Sequence, residues 1–367
     1  MIALDSLRGI AALVVVFHHC SLVLPNILPR INATYVLRPF VAGPEAVSVF
    51  FVLSGFVLYG LLNSESAPAY PEYIAKRLIR LWPPMAAAIM ASALLFFLVQ
   101  PDQIPGTTDW FSFQSWHTSP SFLTILGHLA LFSSFQYLEL DNVIWSLAHE
   151  VKFSLILPCL MPFISRRPIL TVAGTTCLSA IATYLPQPAF LAQTVDPVST
   201  LQCLFLFVAG AAVAANREAI RGCTLSLIDR KFAPAAIAVA VTLLSATAGL
   251  RPGYLVALGA VLLVSVCATS QVTADWLDKP ALAWLGRISY SLYLVHLPVL
   301  LTLVYTLHRA LPTWLILCAT PLVSLGVAEL MYRLVEQRSI ACARRVGQAS
   351  RGRADCHPDA EPMRAAS

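Results

Sequence analysis

Ten apolar runs divide this chain, and each of them is long enough to cross the hydrocarbon core of a membrane as a helix. They fall at residues 7–24, 44–63, 83–100, 144–163, 168–186, 198–216, 232–249, 253–270, 285–308 and 313–336. A spanning helix needs roughly 17–25 residues that are mostly apolar. Only 12% of the 367 residues are charged, whereas soluble domains carry about 25%. The sequence therefore predicts an all-α membrane protein, a polytopic bundle of about ten transmembrane helices.

Positively charged residues fall almost entirely on one side of this predicted bundle. Placing the N-terminus in the cytoplasm puts 19 of the 24 Lys and Arg residues in cytoplasmic segments. Because Lys and Arg are concentrated in cytoplasmic loops, both termini are expected on that side. The net charge of +5 follows from this topology and indicates no nucleic-acid partner.

The segments outside the spans complete the predicted organisation. Residues 1–340 form the membrane domain, and 341–367 form an Arg-rich cytoplasmic tail that we expect to be disordered. The long connection 101–142 contains no Lys or Arg and is expected on the outer side. Its apolar stretch 122–135 is too short to span, so it predicts a re-entrant or interfacial helix over the outer mouth of the bundle. The nine cysteines include no C-x-x-C pair and indicate no metal site.

The first span, which is mostly apolar, carries an arginine, Arg8, and a histidine, His19; the neighbouring His18 faces about 100° away from His19. Eleven residues of α-helix make close to three full turns, so the side chains of Arg8 and His19 share a face and lie roughly 16 Å apart along the axis. Ionisable side chains inside a membrane are costly unless they face a polar interior, and they commonly mark functional sites. Arg8 and His19 are therefore candidate site residues.

The fourth span predicts a carboxylate at the depth of His19. Glu150 lies about six residues from the outer end of this span, and Ser146 precedes it by one turn on the same face. An unpaired Glu and an unpaired His would each be unfavourable in lipid, so we expect His19 to pair with Glu150. A histidine oriented by a carboxylate is a common general base. A purely structural polar clamp is the alternative.

The ninth span places three polar residues on one face, Ser289, Tyr293 and His296. Their spacing of four and then three residues matches the helical repeat. Three polar residues on one face predict contact with a hydrated cavity rather than with lipid.

Two arginines three residues apart, Arg77 and Arg80, precede the third span. On a short helix at the cytoplasmic surface they would lie side by side. Paired guanidinium groups bind phosphates well. Ordinary anchoring of an inner loop by positive charge is the alternative interpretation.

Five stretches in this order resemble the signatures of acyltransferase family 3, a family of integral-membrane O-acyltransferases. They are LDSLRGIAALVVVFHH near the N-terminus, SVFFVLSGF at Ser48 to Phe56, KRLIRLWPP at Lys76 to Pro84, WSLAHE at Trp145 to Glu150 and SYSLYLVHLPV at Ser289 to Val299. The resemblance extends to about residue 340. It implies transfer of an acyl group, commonly acetyl, from cytoplasmic acyl-CoA to a hydroxyl of a carbohydrate or related acceptor, without a metal. Bacterial relatives imply a multi-pass protein of the inner membrane that modifies cell-envelope polysaccharides, lipid-linked sugars, oligosaccharide signals or macrolides.

The resemblance also implies roles for individual residues. Arg8 and His19 match the family's arginine and histidine pair, Arg77 and Arg80 match its R-x-x-R, and Ser146 and Glu150 match its S-L-x-x-E. His19 and Glu150 are then catalytic, and the three arginines bind the CoA phosphates. Tyr293, Ser146 or His296 would hydrogen-bond the oxyanion or the sugar. Near the C-terminus, Glu336 stands where relatives carry a glutamate that is often followed by one further residue and then a proline, but the proline is missing here, so Glu336 departs from the pattern.

Two mechanisms and one further class of function remain open from the sequence. His19 could deprotonate the acceptor hydroxyl directly, or it could carry the acyl group as an acyl-histidine. A transporter or flippase of carbohydrate precursors also needs about ten spans and polar residues at mid-membrane. The sequence selects neither the acceptor, nor the acyl chain, nor an oligomeric state.

Overall fold

The computed structural model describes residues 2–32, 34, 36–130, 139–185, 197–227, 233–245 and 253–355, and every regular element within them is helical. The helices are α1 (Ile2–Ser21), α2 (Ile27–Asn32), α3 (Gly43–Leu62), α4 (Tyr70–Val99), α5 (Asp109–Gln114), α6 (Phe122–Leu129), α7 (Ile144–Arg166), α8 (Pro168–Tyr184), α9 (Pro197–Ala215), α10 (Arg217–Leu227), α11 (Ala233–Ser245), α12 (Tyr254–Thr269), α13 (Gln271–Leu277), α14 (Pro280–Leu307), α15 (Thr313–Met331) and α16 (Gln337–Asp355). A π-helical turn at Tyr332–Glu336 joins the last two helices. The predicted all-α class is confirmed.

Each of the ten predicted apolar runs coincides with a helix. Among the described residues, seven helices are long and apolar enough to cross a membrane: α1, α3, α4, α7, α9, α14 and the continuous helix Thr313–Gly347. The pair α12 and α13 makes an eighth candidate if the 89° bend between them lies within one span. Because α8 and α11 are apolar but shorter, a count of ten remains a prediction, as does the side on which the termini lie.

Helix α4 begins much earlier than the predicted span at 83–100. Two consecutive prolines, Pro83 and Pro84, resemble a helix start, because proline is favoured in the first turn. The structure instead continues α4 back through both prolines to Tyr70. Proline inside a membrane helix removes a backbone hydrogen bond without ending the helix. Arg77 and Arg80 therefore lie on the spanning helix itself and not on a separate surface helix.

The two helices that carry most of the predicted site, α1 and α14, approach each other closely enough for their backbones to touch. A β-carbon added at Gly9 would lie 2.6 Å from the backbone nitrogen of Gly286, which no real side chain tolerates. Small residues at a crossing allow membrane helices to pack at short distance. This packing places Arg8 of α1 against Ser289 of α14, and it places the last turn of α1 against the middle of α14.

The loop before α7 covers the end of the bundle at which α1 ends. The hydroxyl of Thr108 donates to the carbonyl of Leu22 at 2.5 Å, and its amide donates to the carbonyl of Val23 at 3.0 Å. The predicted helix at 122–135 is observed as α6, which packs on α4. Residues 131–138 lie outside the described part. The segment that covers the end of α1 is therefore α5, directly after Thr108.

The predicted disordered tail is helical over most of its length. α16 extends to Asp355 and packs along α4, with Ala343 buried and Gly347 against the side chain of Lys76. The arginine-rich composition suggests disorder, but small residues on one face give this segment a surface that packs. The prediction is wrong for residues 341–355, and residues 356–367 lie outside the described part.

Candidate active site

A cavity of about 110 Å³ lies among α1, α3, α4, α7 and α14, near the beginning of α1. We call it the arginine cavity. Its charged lining residues are Asp5, Arg8, Arg77, Arg80 and Glu150, and its hydroxyl-bearing ones are Ser54, Ser146, Ser289, Tyr290 and Tyr293. Three guanidinium groups face two carboxylates, so one positive charge is left over. The lining is therefore suited to an anionic ligand.

Glu150 is held by Arg77 in the middle of this cavity. The guanidinium Nη2 of Arg77 lies 2.5 Å from Oε1 of Glu150, and its Nε donates to the hydroxyl of Ser154 at 2.9 Å. The hydroxyl of Ser54 donates to the same carboxylate oxygen at 2.8 Å. The two charged side chains are only 13% and 23% exposed. Arg77 and Glu150 therefore form a largely enclosed, hydrogen-bonded ion pair.

The other two arginines of the cavity differ in how far they are engaged. Arg8 donates from Nε to the hydroxyl of Ser289 at 3.1 Å and from Nη2 to Asp5 at 3.0 Å. Arg80 is exposed and lines the cavity, and it forms no hydrogen bond or ion pair with any residue that the structure describes. The cations Arg8 and Arg77 act electrostatically on Arg80, and so do the carboxylates of Glu336 and Glu150, although neither carboxylate is within ion-pair distance of it. Arg80 is thus the guanidinium that is most available to an added anion.

His19 belongs to a second group of residues, which we call the histidine cluster: His18, His19, His296 and Trp110. Nδ1 of His19 lies 2.8 Å from Nε2 of His296, and the two rings are within 17° of parallel. The indole of Trp110, from α5, lies 5.2 Å from the His19 ring at an angle of 12°. Nδ1 of His18 lies 2.7 Å from the carbonyl oxygen of Val41. None of the four lines the arginine cavity.

The predicted pairing of His19 with Glu150 is wrong. Glu150 bonds to Ser54 and Arg77, whereas His19 bonds to His296. Counting residues along a helix gives depth but not the direction in which a side chain points. Glu150 is satisfied by an arginine that the sequence suggested lay at the surface. The imidazole of His19 bonds to His296 of α14. The sequence placed His296 on the correct face of its helix but predicted that it would contact the oxyanion or the sugar.

Tyr293 connects the arginine cavity with the histidine cluster. Its hydroxyl lies 2.7 Å from the hydroxyl of Ser146 and donates to the carbonyl of Val143 at 3.2 Å. Its ring lines the cavity and lies 5.9 Å from the ring of His296 and 5.6 Å from that of Phe50. The two hydroxyls predicted to contact the oxyanion or the sugar therefore lie together on the wall between the two groups.

The comparison with known families agrees with this arrangement. The family model described as "Acyltransferase domain", that of acyltransferase family 3, matches residues 1–333. The chain belongs to acyltransferase family 3. It is 24% identical over 295 residues to the protein named "Acyltransferase MdmB" of Streptomyces mycarofaciens, covering 73% of this chain and 70% of that one. No solved structure matches.

Family membership establishes this protein as a membrane acyltransferase, with several helices able to cross a bilayer. Nine residues of this chain were candidates for the site: seven match signature positions of acyltransferase family 3, and Tyr293 and His296 came from the spacing of the ninth span. The structure gathers six of them around the arginine cavity, namely Arg8, Arg77, Arg80, Ser146, Glu150 and Tyr293, and it gathers His19 and His296 in the histidine cluster.

The ninth residue, Glu336, lies behind the arginine cavity. Its carboxylate accepts a hydrogen bond from the hydroxyl of Ser291 at 2.6 Å, and Arg80 and Arg8 act on it electrostatically. Glu336 ends the π-helical turn, a local widening of the helix that is often found at functional sites. Glu336 is therefore buried and close to the arginines although the proline is missing.

Sequence reasoning missed several side chains that complete the site. Ser54 and Ser154 bond to the Arg77–Glu150 pair, and the hydroxyl of Tyr290 lines the cavity and donates to the carbonyl of Leu81 at 2.7 Å. Ser54 is a polar residue in the middle of a predicted span, which was an available signal. Trp110 lies on the short helix α5 outside the spans, where nothing in the sequence indicates which helix it meets.

Asp141 is a buried carboxyl just before α7 that acts electrostatically on Tyr293, and the sequence analysis passed over it. It is fully buried, and among the described residues no group lies close enough to its side-chain oxygens to complete a hydrogen bond of ordinary geometry. Burial raises the pKa of this carboxyl well above its usual range, and the opposing effect of the Val143 amide is smaller. This part of the molecule therefore favours a neutral carboxyl.

Proposed function

We propose that this acyltransferase moves an acyl group, preferably acetyl, from cytoplasmic acyl-CoA to a hydroxyl of a carbohydrate or glycoside. The observation that carries the proposal is the unengaged guanidinium of Arg80, in a cavity whose wall at Tyr293 contacts the histidine cluster. An anion site and a histidine on opposite sides of one tyrosine suit a donor with a phosphorylated end and a reactive thioester end. The distribution of positive charge supports an arginine cavity that faces the cytoplasm, and the similarity to bacterial members of the family supports a bacterial plasma-membrane protein.

The arginine cavity supplies the groups that a CoA phosphate requires. Arg77 is already engaged with Glu150, so Arg80 is the cation left to form charge-assisted hydrogen bonds to a phosphate, with Arg8 beside it. In this scheme Glu150 is not a catalytic base but holds Arg77 in place. Arg8 and His19 are roughly 16 Å apart along α1, a distance that the flexible arm of CoA covers when it extends past Tyr293.

The transfer itself needs one basic nitrogen at the thioester. As the acceptor oxygen bonds to the thioester carbon, His19 takes the hydroxyl proton, the carbon–sulfur bond breaks, and the proton passes to the departing sulfur. The products are the ester and free CoA. The hydroxyls of Ser146 and Tyr293 lie 2.7 Å apart, and either could donate a hydrogen bond to the oxyanion. If His19 attacks the thioester instead, the same nitrogen carries the acyl group to the acceptor.

The test uses protein reconstituted in vesicles, radiolabelled acetyl-CoA, and acceptors from four classes: envelope polysaccharide, lipid-linked sugar, oligosaccharide and macrolide. We expect CoA release that depends on one acceptor class, with the label recovered in that acceptor. His19→Ala should lower the rate by about 100-fold or more, because a general base is lost. His308→Ala is the matched control, since His308 bonds only to carbonyls of its own helix.

Normal turnover by the His19→Ala variant would contradict the proposed function. Movement of a labelled sugar across the vesicle membrane without CoA release would favour a transporter. If the native protein becomes labelled when no acceptor is present, and His19→Ala does not, the result would select the acyl-histidine route.

A further inference from the structure

The hydrogen bonds of the histidine cluster fix which ring nitrogens carry protons. Nδ1 of His296 lies 3.1 Å from the carbonyl oxygen of Leu292. A carbonyl oxygen only accepts, so Nδ1 of His296 must be the donor. A neutral imidazole has one protonated nitrogen, and Nε2 of His296 is therefore an acceptor.

The protonation of His296 determines which nitrogen of His19 carries a proton. Nε2 of His296 lies 2.8 Å from Nδ1 of His19. Because Nε2 of His296 accepts, Nδ1 of His19 must carry the proton that is shared between them. Nε2 of His19 is left without a proton, so its lone pair can accept one.

The surroundings of the two rings agree with a neutral pair. Neither imidazole forms a salt bridge with a carboxylate anywhere in the described ranges. His296 is 1% exposed, and an isolated charge at such a site is unfavourable. The indole of Trp110 lies parallel to the His19 ring at 5.2 Å, which restricts rotation of the imidazole. Two neutral rings satisfy these contacts without a counter-ion.

We propose that His296 is a positioning residue that fixes the tautomer of His19, so that Nε2 of His19 is the reactive nitrogen. This inference deepens the proposed function and rests on it for its catalytic meaning. It gives His296 the task that a carboxylate performs in other histidine-based sites, and it replaces the predicted roles of Glu150 as orienting acid and of His296 as substrate ligand. During proton transfer, the positive charge that develops on His19 is shared with the imidazole of His296.

Two substitutions separate this role from packing. His296→Gln places an amide oxygen where Nε2 stood and can still accept from Nδ1 of His19, whereas His296→Leu fills the space without an acceptor. We expect His296→Leu to lower kcat by about 100-fold, with the KM for acetyl-CoA changed less than about twofold because the arginine cavity is untouched. His296→Gln should retain activity within about tenfold of the native enzyme. His308→Leu, at the end of the same helix, should match the native enzyme.

A spectroscopic measurement tests the tautomer without using activity. Ring nitrogens of isotope-labelled histidine are observed by solid-state NMR in vesicles, and the His19 signals are assigned by their loss in His19→Ala. We expect a protonated Nδ1 and a bare Nε2 on His19 in the native protein and in His296→Gln, and loss of that pattern in His296→Leu.

A protonated Nε2 on His19 in the native protein overturns the inference, and so does a His296→Leu variant with native kcat. A His296→Gln variant that folds but is as inactive as His296→Leu also overturns it. If the predicted tautomer is observed but the native protein releases no CoA with any acceptor, the proposed function has failed while the positioning role stands.

Discussion

The arginine cavity and the histidine cluster lie on opposite sides of Tyr293 and are built from opposite kinds of chemistry. The cavity holds five charged side chains, of which Arg80 alone forms no hydrogen bond or ion pair with the described residues. The histidine cluster is closed by Trp110, and the hydrogen bonds of its imidazoles to described residues join one ring to the other or to backbone carbonyls. One region is charged and open, and the other is neutral and enclosed.

This difference shows how a membrane bundle can separate binding from chemistry. Charges are tolerated at the arginine cavity because each carboxylate is paired with an arginine and the surplus cation is left for a ligand. A neutral, water-poor site strengthens any hydrogen bond to a developing oxyanion. The highly charged end of a donor and its reactive end would each meet the environment that suits them.

The largest expected effect comes from breaking the ion pair of the arginine cavity. Arg77→Ala leaves Glu150 as an unpaired, largely enclosed carboxylate, and we expect a loss of about 3 kcal/mol of stability. Arg77→Ala combined with Glu150→Gln should regain most of it, because the uncompensated charge is gone. Thermal unfolding in detergent measures both.

Arg333→Ala provides the control for that experiment. Arg333 pairs with Glu329 one turn away and is 70% exposed, so its loss should cost less than about 1 kcal/mol. An Arg77→Ala variant as stable as Arg333→Ala would mean that the Arg77–Glu150 pair does not support the cavity.

A smaller effect on stability is expected from replacing Asp141, the buried carboxyl just before α7. An acid whose pKa is raised by folding stabilises the native state most at low pH, and that contribution is lost as the pH rises from the unfolded pKa towards the folded one. Asp141→Asn removes the titration. We therefore expect Asp141→Asn to raise the unfolding temperature at pH 8 relative to the native protein, and to raise it less at pH 5.

Asp102→Asn is the matched control for this comparison, because Asp102 is an exposed residue of the same connection. It should change the unfolding temperature equally at both pH values. If Asp141→Asn raises the unfolding temperature equally at pH 5 and pH 8, the carboxyl of Asp141 titrates normally. That result would contradict a neutral carboxyl at this position.

Much of the fold could be predicted because each membrane-spanning helix requires a long run of apolar residues in the sequence. All ten predicted runs are helical, and α1 and α14 meet along the faces on which Arg8, His19 and His296 were placed. Two errors share a cause, since α4 and α16 extend through charged sequence that resembles a loop or a tail. Amphipathic helices that pack against one another do not need an apolar composition.

The positions of the candidate residues along each helix were predicted better than the contacts that these residues make with other helices. Helical spacing put Ser289, Tyr293 and His296 on one face, and Ser289 and His296 do both contact α1, but only Ser289 and Tyr293 line the arginine cavity. The partner of Glu150 depends on how α4 and α7 are rotated relative to each other, and sequence spacing does not contain that rotation. Pairing of opposite charges across helices also has several solutions when three arginines are near one glutamate.

Binding of a non-hydrolysable acetyl-CoA analogue, measured by calorimetry on the purified protein, tests the central division of tasks most directly. We predict that His19→Ala binds the analogue with native affinity and that Arg80→Ala binds it at least about tenfold more weakly, because a charge-assisted contact to phosphate is lost. Native affinity in Arg80→Ala together with lost binding in His19→Ala would contradict the account.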